Sequence, residues 1–246
     1  MGAIHAHCEN HAPKQTNVSC IQIGGNYTHV NLKNNRQPSF HGNLGGMQGS
    51  YDYRPWNSFY GGLRVAWKEG EADGSGSDRS FVYVDVQERL GYTLALHDKN
   101  WLLSLFSGFG YRHFGQKLKQ HDQHSILFDY NEFYIPLGFI ADHFFNSWCF
   151  LGLNFIWMPQ VYPTVKIVPL KGARWILKST FSNILVELPL GFFLTKNKCY
   201  GLIFKPFYEY WEDGRSTAKN SSGNSLNLPG NVYNFWGAEL NFAFSF

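Results

Sequence analysis

Histidines and carboxylates are the side chains that most readily move protons at neutral pH, and this 246-residue sequence gathers several of them in one region. His113 is followed by His121, Asp122, His124 and Asp129, and Asp213 stands in a later stretch. General acid/base chemistry needs a histidine and a carboxylate held within hydrogen-bond reach, usually from different elements. Spacing along the chain does not supply that, and Asp122 between its own histidines reads as a solvated loop. No serine has a recognisable nucleophile context, so no catalytic residue is assigned. A second group, His5, His7, Cys8, Glu9 and His11, carries metal-friendly ligands at short spacing. It reads as a tail that takes up metals adventitiously, so neither a metal site nor a cofactor is assigned. The four cysteines, Cys8, Cys20, Cys149 and Cys199, form no CxxC pair of the zinc-domain kind. Cys8 and Cys20 are candidates for a local disulfide in an oxidising compartment, whereas Cys149 and Cys199 fall on segments separated by another, which strains direct pairing.

The elements that must position these residues are written in the composition. The chain is 18% aromatic and 16% charged, with a net charge of only +3 and no basic stripe, so nucleic acid has no support as a partner. No apolar run reaches the ~18 to 20 residues of a membrane-spanning helix. Trp148–Met158 is interrupted by Asn154, and Ile184–Leu194 contains Glu187 and Pro189. The opening Met1-Gly2-Ala3-Ile4-His5 has no basic segment followed by an apolar one, and reads as a mature chain without its signal peptide.

Period-2 alternation decides the fold class. At the C-terminus Trp236, Ala238, Leu240, Phe242, Phe244 and Phe246 share one face, while Gly237, Glu239, Asn241, Ala243 and Ser245 share the other. The same pattern recurs in ten segments, roughly Cys20–Leu32, Asn43–Tyr53, Phe59–Lys68, Ser80–Leu94, Trp101–Phe114, Ser125–Ala141, Trp148–Trp157, Trp175–Leu194, Cys199–Trp211 and Val232–Phe246. The eighth is least regular, and Pro189 within it counts against an uninterrupted paired strand.

Connections alternate between short turns (54–58, 96–100, 142–146, 195–198) and longer links (33–42, 69–79, 115–124, 159–174, 212–231). Both termini then lie on the short-turn side, which requires an even number of strands in an up-and-down meander. The expected fold is all-β: a closed antiparallel up-and-down transmembrane β-barrel of 10 strands, with 8 or 12 as alternatives, over residues 20–246. Residues 1–19 are expected to form a flexible periplasmic tail. Closure is what lipid demands, because a barrel leaves no backbone edge unpaired.

The final strand resembles the C-terminal assembly signal of Gram-negative outer-membrane β-barrels, in Trp236, Gly237, Leu240, Phe242, Phe244 and the terminal Phe246. The Gly/Tyr-rich stretch from Asn43 to Tyr53, followed by Tyr60-Gly61-Gly62-Leu63, is similar to the early hairpins of small barrels of that class. The resemblance covers about Cys20 to Phe246 and is to an architecture. It implies insertion by the barrel-assembly machinery into the outer membrane, with lipid and lipopolysaccharide as surroundings. Trp67, Trp101, Tyr111, Trp148, Trp157, Tyr200, Tyr208, Tyr210 and Trp236 would then form the aromatic girdles at the two interfaces.

If the apolar faces meet lipid, the opposite faces carry a nearly balanced charged set: Asp52, Arg64, Lys68, Asp85, Arg89, Arg112, Glu132, Glu187, Lys205, Glu209 and Glu239. Ten strands enclose little more space than the eight whose side chains fill the interior. The expected lumen is therefore plugged by paired charges and by Phe106, Phe193, Phe207 and Trp211. The functional expectation is a surface or structural protein whose external loops contact a host or envelope partner. A narrow channel for small solutes and a rim hydrolase are the alternatives.

Overall fold

The computed structural model describes residues 18–34, 37–74, 77–96, 100–119, 125–168, 174–216 and 228–246. They form the strands β1 (Ser19–Asn34), β2 (Gln37–Tyr53), β3 (Ser58–Gly74), β4 (Ser77–Leu96), β5 (Trp101–Lys119), β6 (Ser125–Tyr134), β7 (Leu137–Phe144), β8 (Cys149–Trp157), β9 (Gln160–Val168), β10 (Arg174–Ile176), β11 (Ile184–Glu187), β12 (Leu190–Phe193), β13 (Tyr200–Asp213) and β14 (Asn231–Ser245). β5 pairs with β6 along one half and β7 along the other, so β6 and β7 are one stave. By the same pairing logic β8 and β9 make one stave, and β10, β11 and β12 another. The result is ten antiparallel staves, closed where β1 meets β14 from Cys20↔Ser245 to Asn34↔Asn231.

Three of the four interruptions within staves fall beside prolines, which cannot donate to a ladder. Pro136 separates β6 from β7, Pro159 separates β8 from β9, and Pro189 separates β11 from β12. The neighbouring amides find other acceptors: Ile135 N–H donates to the Pro159 carbonyl at 3.1 Å, and Leu188 N–H to the Pro206 carbonyl at 3.0 Å.

The start of β1 and the C-terminal Phe246 sit at the short-turn end, where Phe246 N–H donates to the Ser19 carbonyl at 2.9 Å. At the other end the staves run further than alternation suggested. β1 and β2 stay paired to Asn34↔Gln37, and β3 and β4 to Gly74↔Ser77. The links 33–42 and 69–79, expected as loops, are therefore mostly hairpin ends, and much of 159–174 is β9. β4 and β5 contain 20 and 19 residues, about twice the ~9 to 11 that a tilted strand needs to cross a bilayer.

The surplus has inverted polarity. On β3 the outward row Phe59, Leu63, Val65 and Trp67 is exposed and apolar, and the next outward residues are Glu69, Glu71 and Asp73. Inside, the change runs the other way. Asp52, Ser50 and Gln48 on β2 give way to Leu44 and Phe40, and Arg89, Gln87 and Asp85 on β4 to Tyr83 and Phe81. The long-loop end thus has an apolar interior, with Val30, Leu32, Leu44, Phe81, Phe114 and Trp175 among its buried residues. The expectation that apolar side chains point outward along whole strands holds only for the lipid-facing belt. Beyond it, water replaces lipid, and the hydrophobic effect turns the same side chains inward.

Candidate functional site

Two charge clusters cross the lumen below that apolar core. Arg64, from β3, reaches Glu187 on β11 and Glu239 on β14, each at 2.9 Å. Lys205 Nζ lies 3.4 Å from Glu239, whose second oxygen also accepts from Gln48. Asn154 donates to Glu187 at 2.8 Å. Higher up, Arg112 pairs with Glu209, lies 3.5 Å from Asp85 and donates to the Tyr83 hydroxyl at 2.7 Å. Its guanidinium stacks 3.6 Å from the Trp211 ring centroid. Tyr134 donates to Asp85 at 2.9 Å, and Gln160 donates to Glu132 at 3.2 Å. Lys68 rests over Phe207 and Tyr83, 4.6 and 5.0 Å from their centroids.

Asp52 accepts from Tyr60 at 2.8 Å nearer the short-turn end. Arg89, like Lys68, is a lumen cation without an ion pair among the described residues. It donates to Gln87 and lies over Phe106, but no carboxylate among the described residues is within ion-pairing distance, and its Nη2 has no hydrogen-bond partner.

Below the charges lies a chamber of about 890 Å³ lined by residues of the short-turn end. Trp56, Asn146, Lys196, Lys198 and Cys199 stand around its mouth, and Arg64, Arg89, Glu187 and Lys205 at its depth. Arg54, in the turn after β2, folds inward to pair with Asp142, and its Nε donates to Ser104 at 3.0 Å. Burial would lower the Arg54 guanidinium pKa, but the facing Asp142 carboxylate outweighs it and holds the group above its ordinary value. Lys198 lies over Phe144 and Phe193, and burial there lowers its amine pKa.

Sequence reasoning missed Arg54 and Asp142. The signal was the alternation itself: Asp142 continues the inward row through Ile140, and Arg54 the row through Asp52. Arg79, buried in the apolar end and 3.0 Å from Gln116, was missed for the same reason.

The rim residues do not converge. His113 Nε2 is 3.9 Å from Asp129 on the outer wall, and Asp213 points into the barrel, accepting from Tyr233 at 2.8 Å and Trp211 at 3.1 Å. His121, Asp122 and His124, and the tail with His5, His7, Cys8, Glu9 and His11, lie outside the described residues. Cys20 and Cys149 are free thiols. The girdle residues Trp67, Trp101, Trp148, Trp157, Tyr200, Tyr208 and Trp236 are exposed on the outer wall, with Tyr111 and Tyr210 half-buried there. Leu240, Phe242, Phe244 and Phe246 continue the outward row of β14, and Gly237 faces inward.

No protein-family profile and no curated protein matches the chain. Solved structures do. The outer membrane protease OmpT from Escherichia coli superposes with a TM-score of 0.60 at 11% identity, over 95% of this chain and 98% of that one. The translocator domain of the autotransporter NalP from Neisseria meningitidis gives 0.51 at 10% identity, over 96% and 91%. The transport unit of the autotransporter AIDA-I from Escherichia coli gives 0.50 at 13% identity, over 100% and 93%. The fold is that of a Gram-negative outer-membrane β-barrel. An outer-membrane barrel has its short turns in the periplasm, so the 890 Å³ chamber lies toward the periplasm and the apolar core toward the extracellular end.

Proposed function

We propose that this outer-membrane barrel is a non-conducting surface protein whose extracellular collar, the part of the wall beyond the outer girdle, is its contact surface. The observation that carries the reading is the closed interior of the collar. Trp175, Tyr233, Phe81, Leu32 and Leu44 are fully buried there, above the Arg112 and Arg64 clusters. An ion crossing this path would have to leave water for side chains already packed together, apolar ones around the buried Arg79–Gln116–Tyr233–Asp213 hydrogen bonds, at a cost of several kcal/mol or more.

The collar's outer wall is charged in sectors. Glu69, Glu71, Asp73 and Asp78 are exposed on β3 and β4, and Lys117, Lys166 and Arg174 are exposed on β5, β9 and β10. The basic sector suits lipopolysaccharide phosphates, and the collar rim with its loops suits a host or envelope protein. The Trp236-to-Phe246 row suits recognition by the barrel-assembly machinery. A rim hydrolase would follow the printed activity of one structural neighbour, but the described rim histidine, His113, faces away from the lumen and stands 3.9 Å from Asp129.

Planar-bilayer recording tests the proposal. Purified protein is expected to insert without unitary conductance. Stable unitary currents that change in Arg112→Ala or Glu239→Ala would replace this reading with the narrow channel.

A further inference from the structure

Most of the buried cations at and around the chamber are matched with acids. Arg64 has Glu187 and Glu239, Arg112 has Glu209 and Asp85, Arg54 has Asp142, and Lys205 has Glu239. Lys68 has two aromatic faces and lies above the chamber. Arg89, only 6% exposed, lines the chamber, has no ion pair among the described residues, and its Nη2 has no hydrogen-bond partner. An unpaired buried guanidinium is expensive and is retained where something else completes it.

Arg89 reaches the chamber from a stretch of wall with little side-chain bulk beside it. The residues paired with Arg89 across the two neighbouring strands are Gly62 and Gly108, so no side chain stands on either flank. A Cβ at Gly62 would meet the Tyr60 hydroxyl oxygen at 2.5 Å and Asp52 Oδ1 at 3.0 Å. From Arg89 to the mouth the lining turns apolar, through Leu102, Ile140, Phe144, Phe150 and Phe193. At its depth the chamber therefore offers a guanidinium without an ion pair, beside Arg64 and Lys205 that already have theirs, with the apolar side chains below.

We propose that the chamber binds an organic monocarboxylate with an apolar body. The carboxylate enters first and accepts hydrogen bonds from Arg89, and the body packs in the aromatic sleeve. A guanidinium favours a carboxylate for its planar, charge-assisted geometry. The charge at Arg89 selects against neutral and cationic molecules of the same shape. This site is separate from the collar surface, and its success or failure leaves the non-conducting reading unaffected.

Isothermal titration of the full chain in lipid nanodiscs, with hexanoate as probe and hexanol and hexylammonium as controls, tests the proposal. Hexanoate is expected to bind with a stoichiometry of one, and the two controls are not. Arg89→Gln, which keeps a donor toward Gln87, should weaken hexanoate by at least about tenfold, the loss expected when a charged hydrogen-bond partner is removed. Arg89→Lys should retain more of the affinity than Arg89→Gln. Each variant is first required to show the heat-modifiable mobility of a folded barrel. Absence of hexanoate binding to the folded wild type, equal binding of hexanol, or an unchanged affinity in folded Arg89→Gln would each overturn the proposal.

Discussion

Glu239 carries more of the lumen than any other single acid, and its removal gives a quantitative test of the charge layer. Its carboxylate is 1% exposed and takes Arg64 at 2.9 Å, Lys205 at 3.4 Å and a hydrogen bond from Gln48. Glu239→Ala leaves Arg64 with Glu187 but leaves Lys205 without an ion pair. Removing one partner of a buried pair costs about 3 to 5 kcal/mol, and the surviving Arg64–Glu187 contact puts the expectation near the lower end, about 3 kcal/mol. Reversible urea unfolding in lipid vesicles, followed by tryptophan fluorescence, reads this directly. With a slope of about 3 kcal/mol/M the midpoint should fall by about 1 M at unchanged slope. The double variant Glu239→Met with Lys205→Met removes both charges while keeping volume, and should recover most of the loss, because a buried pair replaced by apolar side chains is often nearly neutral. A single-variant loss below about 1 kcal/mol, the level of a surface pair, or a double variant no better than the single, would refute the claim that these charges hold one another.

Two further outcomes follow from residues on the outer wall and in the periplasmic turns. Glu88 is an exposed carboxylate in the lipid-facing row of β4, between Val86 and Leu90 along the strand and paired across to Leu63 and Phe109. Glu88→Leu should raise stability in vesicles by about 1 to 2 kcal/mol, and a loss of stability in the same unfolding assay would show that Glu88 has a partner within the membrane plane. Lys198 has its amine lowered by burial, so its neutral, nucleophilic form is present at lower pH than for an ordinary exposed lysine. Peptide mass spectrometry after brief acylation across a pH series should find Lys198 modified earlier, and a titration shifted upward would contradict the sign.

Ten staves were legible because a period of two survives in every segment and a polar lumen makes it visible. The ends of the staves were not legible, for a specific reason. Phe81 has the same parity as Asp85 and Arg89, and Phe40 the same as Gln48 and Asp52. A rule that sends charges inward and apolar residues outward loses its sign there, and the segment resembles a loop. Glu88 failed the rule in the other direction, with a charge on the lipid face. The lumen charges could be named from parity, but their pairing could not. Arg112 and Glu209 are 97 residues apart, and only the closed register of the barrel brings them together. The chamber had no signature at all, since its lining is gathered from many staves and from the turns at one end of the barrel.

The inverted collar also bears on how the protein stays where it is put. In the lipid belt, burial of apolar surface by the solvent does not depend on the strands' mutual packing, whereas in the collar every apolar side chain is kept from water only by the other staves. That core can assemble only after the strand ends have passed through the membrane and met water on the far side. Once assembled, Trp175, Phe81, Leu32 and their neighbours oppose withdrawal. Pulling a stave back would carry Glu69, Glu71 and Asp73 into hydrocarbon while exposing the collar's interior to water. The collar is thus a one-way latch on insertion, made by the same alternation that builds the wall.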